Sequence, residues 1–127
     1  MSSVLDASAL LAALTDEPGS DVVAAALATG PAVSAVNLSE VVAKLADAGA
    51  PETDIRQALS GLGLEVIDFD ADLAYMAGLL RPSTKSAGLS LGDRACLTLA
   101  QRLGRQALTT DRAWLGLLPD VEVRVIR

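Results

Sequence analysis

The chain has 127 residues, 51% of them hydrophobic and 20% charged, a balance that excludes global disorder. A chain of this length buries roughly two-thirds of its unfolded surface, so residues 1–127 are expected to form a single domain with its own core. One cysteine, Cys96, excludes a disulfide framework and a cysteine-ligated zinc site, and the absence of histidine excludes Ser-His-Asp and Cys-His nucleophile systems. Any catalysis has to rest on carboxylates, hydroxyls, arginines or a metal ion held by oxygen. The net charge of −6 is unevenly placed: residues 1–72 carry twelve acids against Lys44 and Arg56, and residues 73–127 carry four acids against eight bases. That split is a solubilising surface or an acidic site facing a basic rim.

Ser3–Leu5 reads as a buried strand ending at Asp6, and Ala7–Leu14 as an Ala/Leu helix. That apolar run is too short to span a bilayer and has no basic flank, so the expectation is a soluble cytoplasmic protein without a membrane partner. Ser20 caps a helix over Asp21–Ala28, closed by Gly30. Ala32–Val36 is a second strand, and Asn37 is the expected N-cap of a helix to Ala48. Pro51–Asp54 opens a further helix, and Leu64–Ile67 is a third strand. Asp70 or a neighbour caps a helix to Leu80, stopped by Arg81-Pro82, with Ser83–Gly88 as a loop. Ser90 and Asp93 form a capping box for a helix to Leu103, ended by Gly104. Gln106–Thr109 is a fourth strand, Arg112–Leu117 a short helix and Val121–Ile126 a fifth strand. Strands alternating with helices predict a parallel sheet covered on both faces, with chemistry beyond the strands' carboxyl ends.

Four acids map to that end. Asp6 closes the first strand, Glu40 lies in the first turn after the second, Asp93 starts a late helix, and Asp111 follows the fourth strand. Each has a local role to play: Asp6 and Asp111 as helix caps, Asp93 in its capping box, and Glu40 paired with Lys44 at i,i+4. Those roles leave unexplained why four acids from separate segments gather at one end of one sheet. Together without a counter-ion they repel, and a divalent cation resolves the conflict; oxygen-only ligation selects Mg²⁺ or Mn²⁺ over zinc.

Four blocks carry a family resemblance: Ser3-Val4-Leu5-Asp6-Ala7-Ser8-Ala9-Leu10-Leu11, Val36-Asn37-Leu38-Ser39-Glu40-Val41, Leu89-Ser90-Leu91-Gly92-Asp93-Arg94-Ala95-Cys96-Leu97 and Leu108-Thr109-Thr110-Asp111-Arg112-Ala113-Trp114. In order and spacing they resemble the signature blocks of PIN-domain ribonucleases, and among these the VapC-type toxins of bacterial type II toxin–antitoxin modules. The resemblance implies a three-layer α/β/α fold with a twisted parallel sheet of about five strands. It implies Asp6, Glu40, Asp93 and Asp111 as the acidic quartet binding Mg²⁺ or Mn²⁺, with Ser8 and Thr109 as hydroxyls that orient carboxylate or water. It also implies metal-dependent endoribonuclease activity leaving a 5′-phosphate and a 3′-hydroxyl, a homodimer, and an antitoxin whose C-terminal segment blocks the acids. Which acid serves as general base stays open.

With 2% aromatic residues, stacking is a poor grip on RNA, which leaves arginines for the phosphates. Arg94 and Arg112, each directly after a proposed ligand, are the expected phosphate contacts; Arg102 and Arg105 read as surface residues and Trp114 as a packing residue. Gly88-Leu89-Ser90-Leu91-Gly92 mimics a nucleophile elbow but lacks a preceding strand and a histidine. A second reading is a receiver-type switch phosphorylated on Asp68, at the end of the third strand. It lacks the paired acids after strand one and the lysine after strand five. A third is a PIN fold kept as a catalytically idle binding module.

Overall fold

The computed structural model describes residues 2–127. Five strands, β1 (Ser3–Leu5), β2 (Ala32–Ser34), β3 (Glu65–Ile67), β4 (Gln106–Thr109) and β5 (Val123–Val125), form one parallel sheet in the order β3-β2-β1-β4-β5. The helices are α1 (Ala7–Leu14), α2 (Ser20–Leu27), α3 (Ala35–Asp47), α4 (Glu52–Ser60), α5 (Ala71–Leu79), α6 (Arg81–Thr84) and α7 (Leu91–Leu103), with a 3₁₀ turn at Arg112–Trp114.

Neighbouring residues of the central strands enter opposite faces, as strand geometry requires. Val4, Ala32 and Ala107 join Leu73, Cys96, Leu97, Leu99 and Trp114 under α5 and α7. Leu5, Val33 and Leu108 join Leu10, Val23 and Val41 under α1, α2 and α3. These two cores make the three-layer α/β/α arrangement. All three residues of β1 and of β2 are buried, whereas Glu65 and Val66 of β3 are exposed at the sheet edge.

The chain runs outward from β1 through β2 to β3, then returns to the other side of β1 for β4 and β5. Strand order therefore reverses between β1 and β4, the place where open α/β sheets hold their ligands. This order removes the receiver reading of Asp68. Receivers have the order 2-1-3-4-5, with β3 beside β1; here β2 intervenes, and Asp68 is an exposed residue beyond the edge strand.

Several boundaries differ from the sequence expectation, each for a local reason. Helix α3 begins at Ala35 because the Ser34 side chain accepts from Val36 N, so Ser34 caps it and Asn37 lies inside its first turn. The loop expected over Ser83–Gly88 begins instead within α6, a single turn with Pro82 near its start, where a missing N–H costs no hydrogen bond. The cap of α2 is Gly19, at φ 93°, and helix 112–117 shortens to the 3₁₀ turn. Among the described residues no helix is long and apolar enough to cross a membrane.

Candidate active site

Asp6 sits at the junction of β1 and α1 and is only 4% exposed. Its backbone N–H donates to the Leu108 carbonyl at 3.1 Å, which continues the β1–β4 ladder into the site. Its carboxylate caps α1, with Oδ1 accepting from Ala9 N at 2.8 Å. Two hydroxyls close on the same group. Thr109 Oγ1 donates to Oδ2 at 2.6 Å, and Ser8 Oγ lies 2.7 and 2.9 Å from the two oxygens. Each hydroxyl in turn accepts a backbone N–H from the turn after β4: Ser8 from Thr110 at 3.0 Å and Thr109 from Asp111 at 3.1 Å. The switch point is thereby stitched across, and Asp6 is held rigidly.

Burial pushes the Asp6 carboxyl up from 3.8 to about 6; the bonds from Thr109, Ala9 and Ser8 pull it down, and the charge of Asp93 adds to the rise. The other three acids come from α7, α3 and the turn after β4. Asp93, in the first turn of α7, completes a capping box: Ser90 Oγ accepts from Asp93 N at 3.2 Å, and Asp93 Oδ2 accepts from Ser90 N at 2.9 Å. Glu40, in α3, accepts from the Asn37 amide at 2.8 Å, so its expected partnership with Lys44 is not the one formed. Asp111 is exposed and caps the 3₁₀ turn, accepting from Ala113 N at 2.9 Å.

The thiol of Cys96, one turn along α7 and fully buried, registers the convergence of three of these acids. Burial pushes it up, and the charges of Asp6, Asp93 and Glu40 push it further. Among the described residues none of the four acids is ion-paired with a lysine or arginine. Nor, as the side chains stand, do any three acidic or cysteine groups close around one metal position.

The arginines divide. Arg94 is turned away from the site expected of it: its Nη1 donates to the Ala77 carbonyl at 2.9 Å and ties α7 to α5. Arg112 is exposed beside Asp111, with Nη2 at 3.4 Å from the Arg127 carbonyl. Arg102 and Arg105 bridge Asp70 and Glu65 at 2.9 and 3.5 Å, and Trp114 is a fully buried core residue.

Two residues of the site escaped the sequence reading. Asn37 is buried, and its amide donates to Glu40 and, at 3.0 Å, to the Gly92 carbonyl of α7. Gly92 itself faces the Glu40 carboxylate so closely that a methyl group there would overlap it. The available signals were an asparagine three residues before an acid and a glycine directly before another.

Comparison with known proteins agrees with this architecture. A toxin–antitoxin complex from Klebsiella pneumoniae contains a chain of similar fold, with a TM-score of 0.77 at 23% identity, covering 99% of this chain and 98% of that one. DNA-bound VapBC from Salmonella typhimurium gives 0.76 at 18% identity and full coverage of both chains (100% each). VapBC2 from Rickettsia felis, bound to a promoter DNA fragment, gives 0.75 at 18% identity over 98% of each chain. Comparison with curated proteins gives no match. The PIN-domain family model matches residues 3–116, nearly the whole alternation of strands and helices and all four acids, and the chain belongs to the PIN-domain family.

Proposed function

We propose that the chain is a metal-dependent endoribonuclease, the VapC-type toxin of a toxin–antitoxin pair, hydrolysing RNA phosphodiester bonds at the acidic cluster. The observation that carries this reading is the desolvated Asp6, raised to about 6 with Asp93 adding to the rise and no cation paired with it among the described residues. A buried charge without a counter-ion is costly even when hydrogen-bonded, and a site built to take a cation explains why it is kept.

The donor set fits a hard divalent ion. All the donors are carboxylate oxygens, and the caps on Asp93 and Asp111 each occupy one oxygen and leave the other free. Asp93 is half-buried and Asp111 is exposed, so these two side chains have room to turn toward the fixed Asp6, while Glu40 stays where Asn37 holds it. Asp6, Asp93 and Asp111 would hold Mg²⁺ or Mn²⁺, with Glu40 as a further ligand or a contact through water. Such an ion, when bound, neutralises phosphate charge and makes water acidic enough to attack without histidine.

The chain's own groups do the rest. Ser8 and Thr109 fix the orientation of Asp6, and one of the four carboxylates takes the proton of the attacking water. Arg112, on the rim, meets a phosphate of the RNA. The relatives described as toxin–antitoxin complexes support an antitoxin partner. The family resemblance adds that its C-terminal segment would cover the acids, and that the toxin would be a homodimer acting in the cytoplasm.

The test is incubation of purified, antitoxin-free protein with total RNA in Mg²⁺, in Mn²⁺ and in chelator, alongside Asp93→Asn. Discrete fragments are expected only with metal and only from the wild type. Intact RNA in every lane, from folded protein that still binds Mn²⁺, would replace this reading with a catalytically idle PIN-fold binding module.

A further inference from the structure

We propose that Asn37 is a positioning residue that holds the Glu40 carboxylate against the start of α7, with Gly92 supplying the space; the proposal rests on the nuclease reading of the acidic cluster. Asn37 is 1% exposed, and a buried primary amide is tolerated where its hydrogens find partners. Both hydrogens on Nδ2 are spent, one on Glu40 Oε1 at 2.8 Å and one on the Gly92 carbonyl at 3.0 Å.

That pairing defines the residue type. Two acceptors within reach of one short side chain call for an NH₂ group; aspartate has no donor, and serine or threonine has one. The amide oxygen, by contrast, is buried without a partner among the described residues. The opposite orientation would set that oxygen against a carboxylate and a carbonyl, so the unpaired oxygen is what the two donated bonds cost.

Gly92 points to the same carboxylate independently. It lies in the first turn of α7 with ordinary helical backbone, where glycine is among the least favoured residues. Its left-handed freedom is unused; what the missing side chain provides is room for Glu40. Glu40 is otherwise an exposed side chain with three rotatable bonds. Asn37 and Gly92 together restrict it to a place against the start of α7, and join the helical layer of α3 to that of α7.

The experiment is a Mn²⁺ titration, by calorimetry and by electron paramagnetic resonance, of the wild type, Asn37→Ala, Glu40→Gln and the double variant, with folding checked by circular dichroism. Asn37→Ala should weaken Mn²⁺ binding by about tenfold, the lower end of what losing a partner of a ligand costs. The double variant should lose no more than Glu40→Gln alone, because Asn37 acts through Glu40. Cleavage should show a lower kcat with KM for RNA unchanged. Should Asn37→Ala fail to fold, Asn37→Ser carries the same comparison with one donor retained. Unchanged Mn²⁺ affinity in a folded variant, or losses that add in the double variant, would overturn the positioning role alone. A wild type that binds no Mn²⁺ would overturn the nuclease reading and this proposal with it.

Discussion

Asp6 and Asp70 are built alike and end up in opposite electrostatic states. Each follows a strand at the carboxyl edge of the sheet, and each caps a helix by accepting from the backbone N–H three residues on, at 2.8 Å from Ala9 and 2.9 Å from Leu73. Asp70 lies at the exposed edge and is gripped by both terminal nitrogens of Arg102, at 2.9 and 3.2 Å, which hold its carboxyl below the usual range. Asp6 lies at the central switch point, surrounded by hydroxyls and backbone N–H groups but with no cation paired to it among the described residues, and burial drives its carboxyl up to about 6. The fold thus supplies a cation where an acid serves structure and withholds one at the acid beside Asp93. Capping cannot distinguish the two; the missing counter-charge does.

Neutralising the two acids one at a time should separate them most. Asp6→Asn should slow RNA cleavage by about a thousandfold, the scale on which loss of one charge-stabilising group slows catalysis. Asp70→Asn should leave the rate within about twofold, since it removes an exposed pair remote from the chemistry. Initial rates on a mapped RNA substrate measure both, and equal losses would place the working acid elsewhere.

How much of this was open to sequence follows from the reach of each signal. Strand–helix junctions were legible where a short apolar run meets a capping residue, as at Leu5-Asp6 and Leu89-Ser90, because both signals are local. Placing the strands is enough to expect four acids at one end of the sheet, because each lies at or just past a strand end or a helix start. Strand order was not legible: nothing within Leu64–Asp68 says that β3 lies at the edge, and the receiver reading of Asp68 survived until the sheet was assembled. Arg94 was misassigned because adjacency along a helix is not adjacency in space. Successive residues point about 100° apart, so an arginine next to Asp93 reaches Ala77 on α5 instead. Asn37 failed for a related reason. It and Ser34 are both good caps, and the Gly92 carbonyl that claims Asn37 is 55 residues away in the chain.

The pH dependence of stability sharpens the contrast. A carboxyl raised from 3.8 to about 6 binds its proton more tightly folded than unfolded, so the metal-free protein loses stability from this group as pH rises across that interval. A rise from 3.8 to about 6, at 1.36 kcal/mol per pH unit, makes the loss on the order of 3 kcal/mol. Urea unfolding in chelator at pH 4.5 and pH 7.5 should therefore show Asp6→Asn gaining on the wild type by up to that amount at the higher pH. Asp70 runs the other way: its lowered pKa gives a contribution present above about 4 and lost as pH falls below it.

Mn²⁺ should reverse the sign at Asp6. At a hundredfold excess over its Kd, an ion that binds only the folded state stabilises by about 2.7 kcal/mol. The wild type should show that rise in urea at pH 7.5, and Asp6→Asn should show little of it. A rise of equal size in both proteins would mean the ion binds without Asp6.

The smallest effect belongs to the other half of the comparison. Arg102→Gln removes the cation from Asp70, and because the pair is solvated the loss should be small against the wild type in urea unfolding. The backbone cap from Leu73 persists, so α5 keeps its start, and cleavage should be unchanged. The same operation, leaving an acid without its cation, is therefore mild at the edge of the sheet and costly at its centre. What separates the two is solvent: water reaches Asp70 when Arg102 is gone, and at Asp6 it is replaced by Leu108, Ala9 and two hydroxyls. A loss at Arg102→Gln as large as the pH-dependent term at Asp6 would show that the edge is as dry as the centre, and burial would no longer explain why only one of the two acids keeps a raised pKa.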